Sequence, residues 1–256
     1  MMKSFIRAAL ASALAMATVL GIQAQASTQS GSTQSGSAKG SEKTVEEAYL
    51  QASIETMIIK EQAAADSKEM KLVALQYAKQ AIDAGRKNEE MRAALEYLAL
   101  ESTMVQARSG GVGRPTNNYP DVRAKACDYL GEFPTAASKD ALVKVALSDN
   151  EPMVLSAAMR SLGKIGMNDN DEVTQVIAFI VNRFDILAPD NSLAFDSLVA
   201  LGRIAEKNNG IKDPAAIRAI IRIQSGNYIT PVKKMADQTM DKLRQYQGNS
   251  SSGSKK

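Results

Sequence analysis

One side-chain spacing recurs four times between residues 122 and 246, and it constrains the fold more than any other feature of the chain. Val122, Ala126, Leu130 and Phe133 stand at offsets of 0, 4, 8 and 11. Val154, Ala158, Leu162 and Ile165 repeat those offsets, as do Leu193, Ser197, Leu201 and Ile204, and then Met235, Thr239, Leu243 and Tyr246. At 3.6 residues per turn these offsets fall on one stripe of an α-helix. Each set therefore predicts a helix with one apolar face and a small residue always second. The copies lie 32, 39 and 42 residues apart, which is the period of stacked two-helix units. The competing reading is an irregular helical bundle whose faces match by chance, and four positions in four copies weigh against it.

The helix boundaries can be read from local chemistry. Glu42, Glu46 and Glu47 suit a helix start, and Asp66 or Ser67 can cap the helix that ends at Gly85. A third helix is expected from about Asn88 to Arg108, followed by a glycine-rich loop from Ser109 to Tyr119. Pro120, Pro152, Pro189, Pro214 and Pro231 stand at or just before helix starts, where a missing N–H costs nothing. No convincing strand is present. Paired in order, the helices give an all-α fold, a solenoid of about five hairpins over 42–85, 88–132, 136–165, 170–207 and 213–246. The four stripes fall on the second helix of hairpins two to five. The first hairpin takes the pattern in two registers, one of them Met70, Ala74, Ala78 and Ala81, so it is read as an atypical end unit.

At these residues the chain resembles a known family. Pro120-Asp121-Val122-Arg123, followed by Ala126 and Leu130-Gly131, is similar to the second helix of a HEAT repeat, in the short variant of phycobilisome-lyase-type proteins. Asp149 to Val154, with Ala157-Ala158 and Leu162-Gly163-Lys164-Ile165-Gly166, resembles it more closely, and Leu198 to Ile204 repeats the ending. The arginine after the valine is kept only at Arg123, and Arg244 replaces the glycine of the other copies. The resemblance is good over about 120–207 and thin over 42–108. It implies a right-handed α–α superhelix whose second helices line a concave, ligand-facing side, and it implies no particular activity.

The N-terminus reads as an export signal. Lys3 and Arg7 give the positive start, Ala8 to Ile22 is a run of apolar and small residues, and Ala24-Gln25-Ala26 is a cleavage site. The run is shorter than the roughly 20 residues that span a bilayer, so cleavage before Ser27 is favoured over an anchor. Residues 27–41, rich in Ser, Gly, Thr and Gln, are expected to form a flexible linker, and 248–256 a disordered tail. No later segment is apolar enough to cross a membrane. A periplasmic location follows as the expectation for an exported bacterial chain, with secretion as the alternative.

Composition then narrows the function classes. Of 31 basic residues, Lys3, Arg7, Lys39, Lys255 and Lys256 lie outside the body, leaving 26 against 28 acidic ones. A body at net −2 argues against nucleic acid as the partner. Histidine is absent, which removes the commonest general base and nitrogen ligand for zinc. The lone Cys127 excludes an internal disulfide and a cysteine-pair metal site. It is read as partly buried, with an intermolecular bridge as the alternative. Asn168 to Glu172 lacks the spacing of a calcium loop, and Gly110 to Pro115 lacks that of a phosphate loop. No catalytic, cofactor or metal site is expected, and the chain is read as not an enzyme.

What remains is a binding surface. The candidate partner contacts are Arg114 and Tyr119 on the long loop, and Arg123, Arg160, Lys164 and Arg203 off the core stripe of the second helices. Lys233 and Lys234 join them. Asp128, Glu132, Asp196, Asp237 and Asp241 are interleaved, so the alternative is an ordinary solvated face. The expected function is an exported scaffold or adaptor for another protein. A lyase-associated HEAT-type enzyme or chaperone-like subunit is the alternative, and a nucleic-acid-binding array comes third.

Overall fold

The structure is a computed structural model and describes residues 44–101, 117–187 and 189–252. The leader, the linker and the loop segment holding Arg108 and Arg114 lie outside the described residues. Among those described there are ten α-helices, one short 3-10 turn and no strand. In chain order the helices are α1 (Val45–Ala64), α2 (Lys68–Asp83), α3 (Glu89–Leu100), α4 (Pro120–Leu130), α5 (Ala136–Ser148), α6 (Pro152–Ile165), α7 (Glu172–Leu187), α8 (Asn191–Lys207), α9 (Pro214–Ser225) and α10 (Thr230–Ser252).

Short polar side chains start most of them. Thr44 and Glu47 form a reciprocal capping box on α1. Ser67, Asn88, Thr135, Asp190 and Asp213 each accept a backbone N–H of the turn they open. Pro120, Pro152 and Pro214 occupy the first helical position. Gly166 closes α6 in the left-handed region, at φ 70°.

Consecutive helices pair antiparallel, and each pair lies on the next. The second helices form one row, α2–α4–α6–α8–α10, and the first helices another, α1–α3–α5–α7–α9. The fold is therefore an all-α solenoid of helical hairpins. One continuous core runs its length. Leu130, Leu162, Leu201 and Leu243 are all buried on the second-helix seam, each contributing roughly 2 kcal/mol by removal from water. Ala126, Ala158, Ser197 and Thr239 are buried beside them, small because neighbouring helices pass close there. In the first hairpin the register resolves on Ala74, Ala78 and Ala81, which are buried, while Met70 faces out.

Two boundaries differ from expectation. The third helix, expected to reach about Arg108, ends at Leu100. Glu101 turns extended and its carboxylate meets the buried Lys71 ammonium at 2.9 Å, so an ion pair to α2 draws the chain off the helix axis. At the other end α10 continues to Ser252, beyond 246, where the fifth hairpin was expected to close. The 3-10 turn Asp169–Asp171 precedes α7, and Asn168 Oδ1 accepts the Thr174 N–H at 3.1 Å, so the acidic cluster acts as a cap.

Candidate partner-binding face

The outward face of the second-helix row carries most of the residues singled out in the sequence. Asp128 on α4 and Glu132 in the turn that follows it lie four residues apart, and Arg160 and Lys164 on α6 take the corresponding positions one repeat later. The repeats align in register, so opposite charges meet across the row. Arg160 donates to both oxygens of Asp128 at 3.0 and 3.1 Å, and reaches forward to Asp196 on α8 at 2.6 Å. Lys164 pairs with Glu132. Burial lowers the affinity of the Arg160 guanidinium for its proton, but Asp128 and Asp196 more than offset this and hold its pKa above the ordinary value. Burial raises the Asp196 carboxyl, and Arg160 only partly compensates.

In the next row the pattern breaks. The position after Glu132 and Lys164 is Arg203, which meets a like charge. Its acidic neighbour Glu206 is taken by Lys242 of α10. Arg203 is exposed and has no side-chain partner among the described residues. It stands between two hollows. One, of about 410 Å³, is lined by Gly163, Lys164, Arg203, Glu206 and Lys207. The other, of about 370 Å³, lies between α8 and α10 and includes Val199, Gly202, Met235 and Lys242. A third hollow of about 360 Å³ adjoins Arg160 and Asp196, with Phe195 and Ile229 as its apolar wall.

The candidates therefore divide. Arg160, Lys164 and Arg203 share the face, and only Arg203 offers an unneutralised charge. Lys233 and Lys234 on α10 likewise have no side-chain partner among the described residues. Arg114 lies outside the described residues. Tyr119 is half-buried at the start of α4 and packs on the core.

Arg123 is a correction. It is buried, not outward. Its Nε donates to Asp149 Oδ2 at 2.7 Å and its Nη1 to Asn118 Oδ1 at 2.7 Å. Asp149 also accepts the N–H groups of Asn150 and Glu151 at 2.7 and 2.9 Å, so the pair ties α4 to the turn that launches α6. An arginine one position past the stripe can face water or the neighbouring turn, and the sequence has no sign of which.

Cys127 is fully buried on α4. Burial raises its pKa, and the Asp128 and Asp149 charges raise it further, so the thiolate is suppressed. In native conditions its labelling by a thiol reagent is expected to run about a thousandfold or more slower than after unfolding, because the thiol is reached only by opening the fold. Native-state labelling followed by mass spectrometry checks this, and rapid labelling would contradict the burial. Among the described residues no group of three or more Cys, Asp or Glu side chains is placed to hold a metal ion. No helix among them is long and apolar enough to cross a membrane.

Residues 116–183, the stretch that contains the α4–α6 ladder and its buried ion pair, match the HEAT repeat family. That stretch of the chain is built of HEAT repeats. The chain is similar in fold to a solved structure, the complex of CpcE and CpcF of phycocyanin lyase from Nostoc sp. PCC7120. The TM-score is 0.52 at 16% sequence identity, covering 84% of this chain and 70% of that one. No curated protein matches the sequence. The expectation that the chain is not an enzyme is corrected by this likeness. The same arrangement of helices serves in a phycocyanin lyase complex, an enzyme.

Proposed function

We propose that this HEAT-repeat protein is exported and binds a protein partner on its second-helix face, as a subunit of an assembly in the bacterial periplasm or envelope. The leader residues Lys3, Arg7 and Ala24-Gln25-Ala26 motivate export. The single observation that carries the binding reading is Arg203. It is an exposed guanidinium without a side-chain partner among the described residues, between two hollows, in a row where the neighbouring charges are neutralised in pairs. Arginine in such a setting is a common centre of binding energy. The acidic body disfavours nucleic acid at this face.

The test places a photo-crosslinking residue at position 199, beside Arg203, and another at Lys144 on a first helix. The partner is expected to crosslink from position 199 and not from 144. Arg203→Glu is expected to weaken capture about tenfold, roughly 1.4 kcal/mol, without changing thermal unfolding. Crosslinks confined to position 144, or full binding by the variant, would remove the reading. N-terminal sequencing of the protein from cells is expected to begin at Ser27; an intact Met1 would remove the export half alone.

The likeness to the phycocyanin lyase complex favours a second reading, a lyase-associated subunit. Visible absorbance of the purified protein, or turnover with a chromophore-accepting protein, separates the two.

A further inference from the structure

The stack has two unlike ends. At the C-terminal end the outer surface of α10 presents Lys234, Asp237, Gln238, Asp241 and Arg244 to solvent, the polar termination expected of a solenoid. Among the described residues the N-terminal end has no such finish. On α2, Lys68 faces the next hairpin, pairing with Asp121 of α4 at 3.0 Å. At 100° per residue, Val73 and Tyr77 lie about 140° and 180° round the helix from it. On α1, Lys60 faces α3, pairing with Glu90 at 2.9 Å, and Ile54 lies about 120° away. The end face thus carries Leu50, Ile54, Met70, Val73 and Tyr77, with exposures from 36% for Val73 and Tyr77 to 58% for Leu50. Apolar residues run all round α1, the pattern of a helix covered on every side. A contiguous apolar patch of this kind marks a site of association.

Charge selects the occupant. All four lysines of α1 and α2 are engaged: Lys60 with Glu90, Lys68 with Asp121, Lys71 with Glu101 and Lys79 with Asp83. Glu61 and Glu69 border the patch and have no side-chain partner among the described residues. A second copy placed end to end sets this acidic border against itself. A copy placed head to tail sets the apolar face on the polar α10 surface. We propose that the outer face of α1 and α2 docks an amphipathic helix of another protein, with its apolar stripe flanked by lysine or arginine. This surface is separate from the Arg203 face.

The probe is a synthetic helix of about five turns, with leucine at i, i+3, i+4 and i+7 and lysine elsewhere. A matched peptide with glutamate in place of lysine is the control, and fluorescence anisotropy gives the affinities. The lysine peptide is expected to bind at least about tenfold more tightly than the glutamate peptide. Ile54→Ser/Tyr77→Ser is expected to weaken it about tenfold or more with thermal unfolding unchanged, since both side chains are half exposed. Glu61→Lys/Glu69→Lys is expected to abolish or invert the preference. Arg203→Glu is expected to leave peptide binding unaltered, so failure here is distinguishable from failure at the other face. Equal affinity for both peptides, binding that survives Ile54→Ser/Tyr77→Ser, or a dimer in sedimentation that this variant dissolves would overturn the proposal.

Discussion

Asp149→Ala is expected to destabilise the protein by about 3–5 kcal/mol, the cost of leaving a buried charge without its partner. Arg123 and Asp149 are both buried, so solvent neither screens the pair nor rescues the guanidinium once the carboxylate is gone. The substitution also removes the acceptor for the Asn150 and Glu151 N–H groups, adding to the loss. For a body of this size, thermal unfolding is expected to fall by about 10 °C. Asp149→Asn keeps an acceptor for the turn and is expected to lose less. Arg123→Met with Asp149→Leu is expected to recover part of the stability, because two well-packed apolar side chains avoid the desolvation cost. Denaturant titration of the set decides the matter. A small effect of Asp149→Ala, under about 1 kcal/mol, would mean the guanidinium escapes to water and the α4–α6 tie is not structural.

The second large effect concerns two glycines at one repeat position. A Cβ built on Gly163 would stand 2.6 Å from Ala200 Cα and 2.9 Å from Ala200 Cβ. Those atoms belong to the backbone and first carbon of α8 and cannot swing aside, so α6 and α8 would have to separate. A Cβ on Gly202 meets nothing nearer than Lys242 Nζ at 3.9 Å. Gly163→Ala is expected to cost about 1–2 kcal/mol, the overpacking penalty exceeding the roughly 1 kcal/mol that alanine gains in a helix. Gly163→Val, bulkier and β-branched, is expected to cost about 3 kcal/mol. Gly202→Ala is expected to add about 0.5–1 kcal/mol. Opposite signs at equivalent positions are the diagnostic result. Equal signs in thermal and denaturant unfolding would show that the α6–α8 approach is not set by Gly163.

How much of this was legible in the sequence depends on the range of the interaction. The stripes through Leu130, Leu162, Leu201 and Leu243 were readable because helical periodicity repeats within a few residues. Prolines and short polar caps marked starts for the same reason. Charges were harder. The acidic residues Asp128, Glu132 and Asp196 read as dilution of a basic patch, yet they are the specific partners of Arg160 and Lys164. Their pairing depends on the register between hairpins, a property of the stack and not of any one helix. Arg123 read as a surface contact for a similar reason. Lys71, fully buried, paired with the partly exposed Glu101 and beside the Tyr97 ring, carried no sequence signal at all, since lysine is normally exposed.

The amino-acid order by itself determined that the body is a series of amphipathic helices, where they begin, and which side of the second helices is apolar. Those are outcomes of backbone geometry and local hydrogen bonding. Only the tertiary structure decided which charges are cancelled, which are buried and which remain for a partner. Arg203, Arg160 and Arg123 are the same side chain on neighbouring helices. One is free among the described residues, one is paired at the surface and one is buried, because each meets a different residue across a contact the chain makes tens of positions away. Exposure of the α1–α2 end is likewise a fact about what stacks on what, and periodicity alone does not contain it.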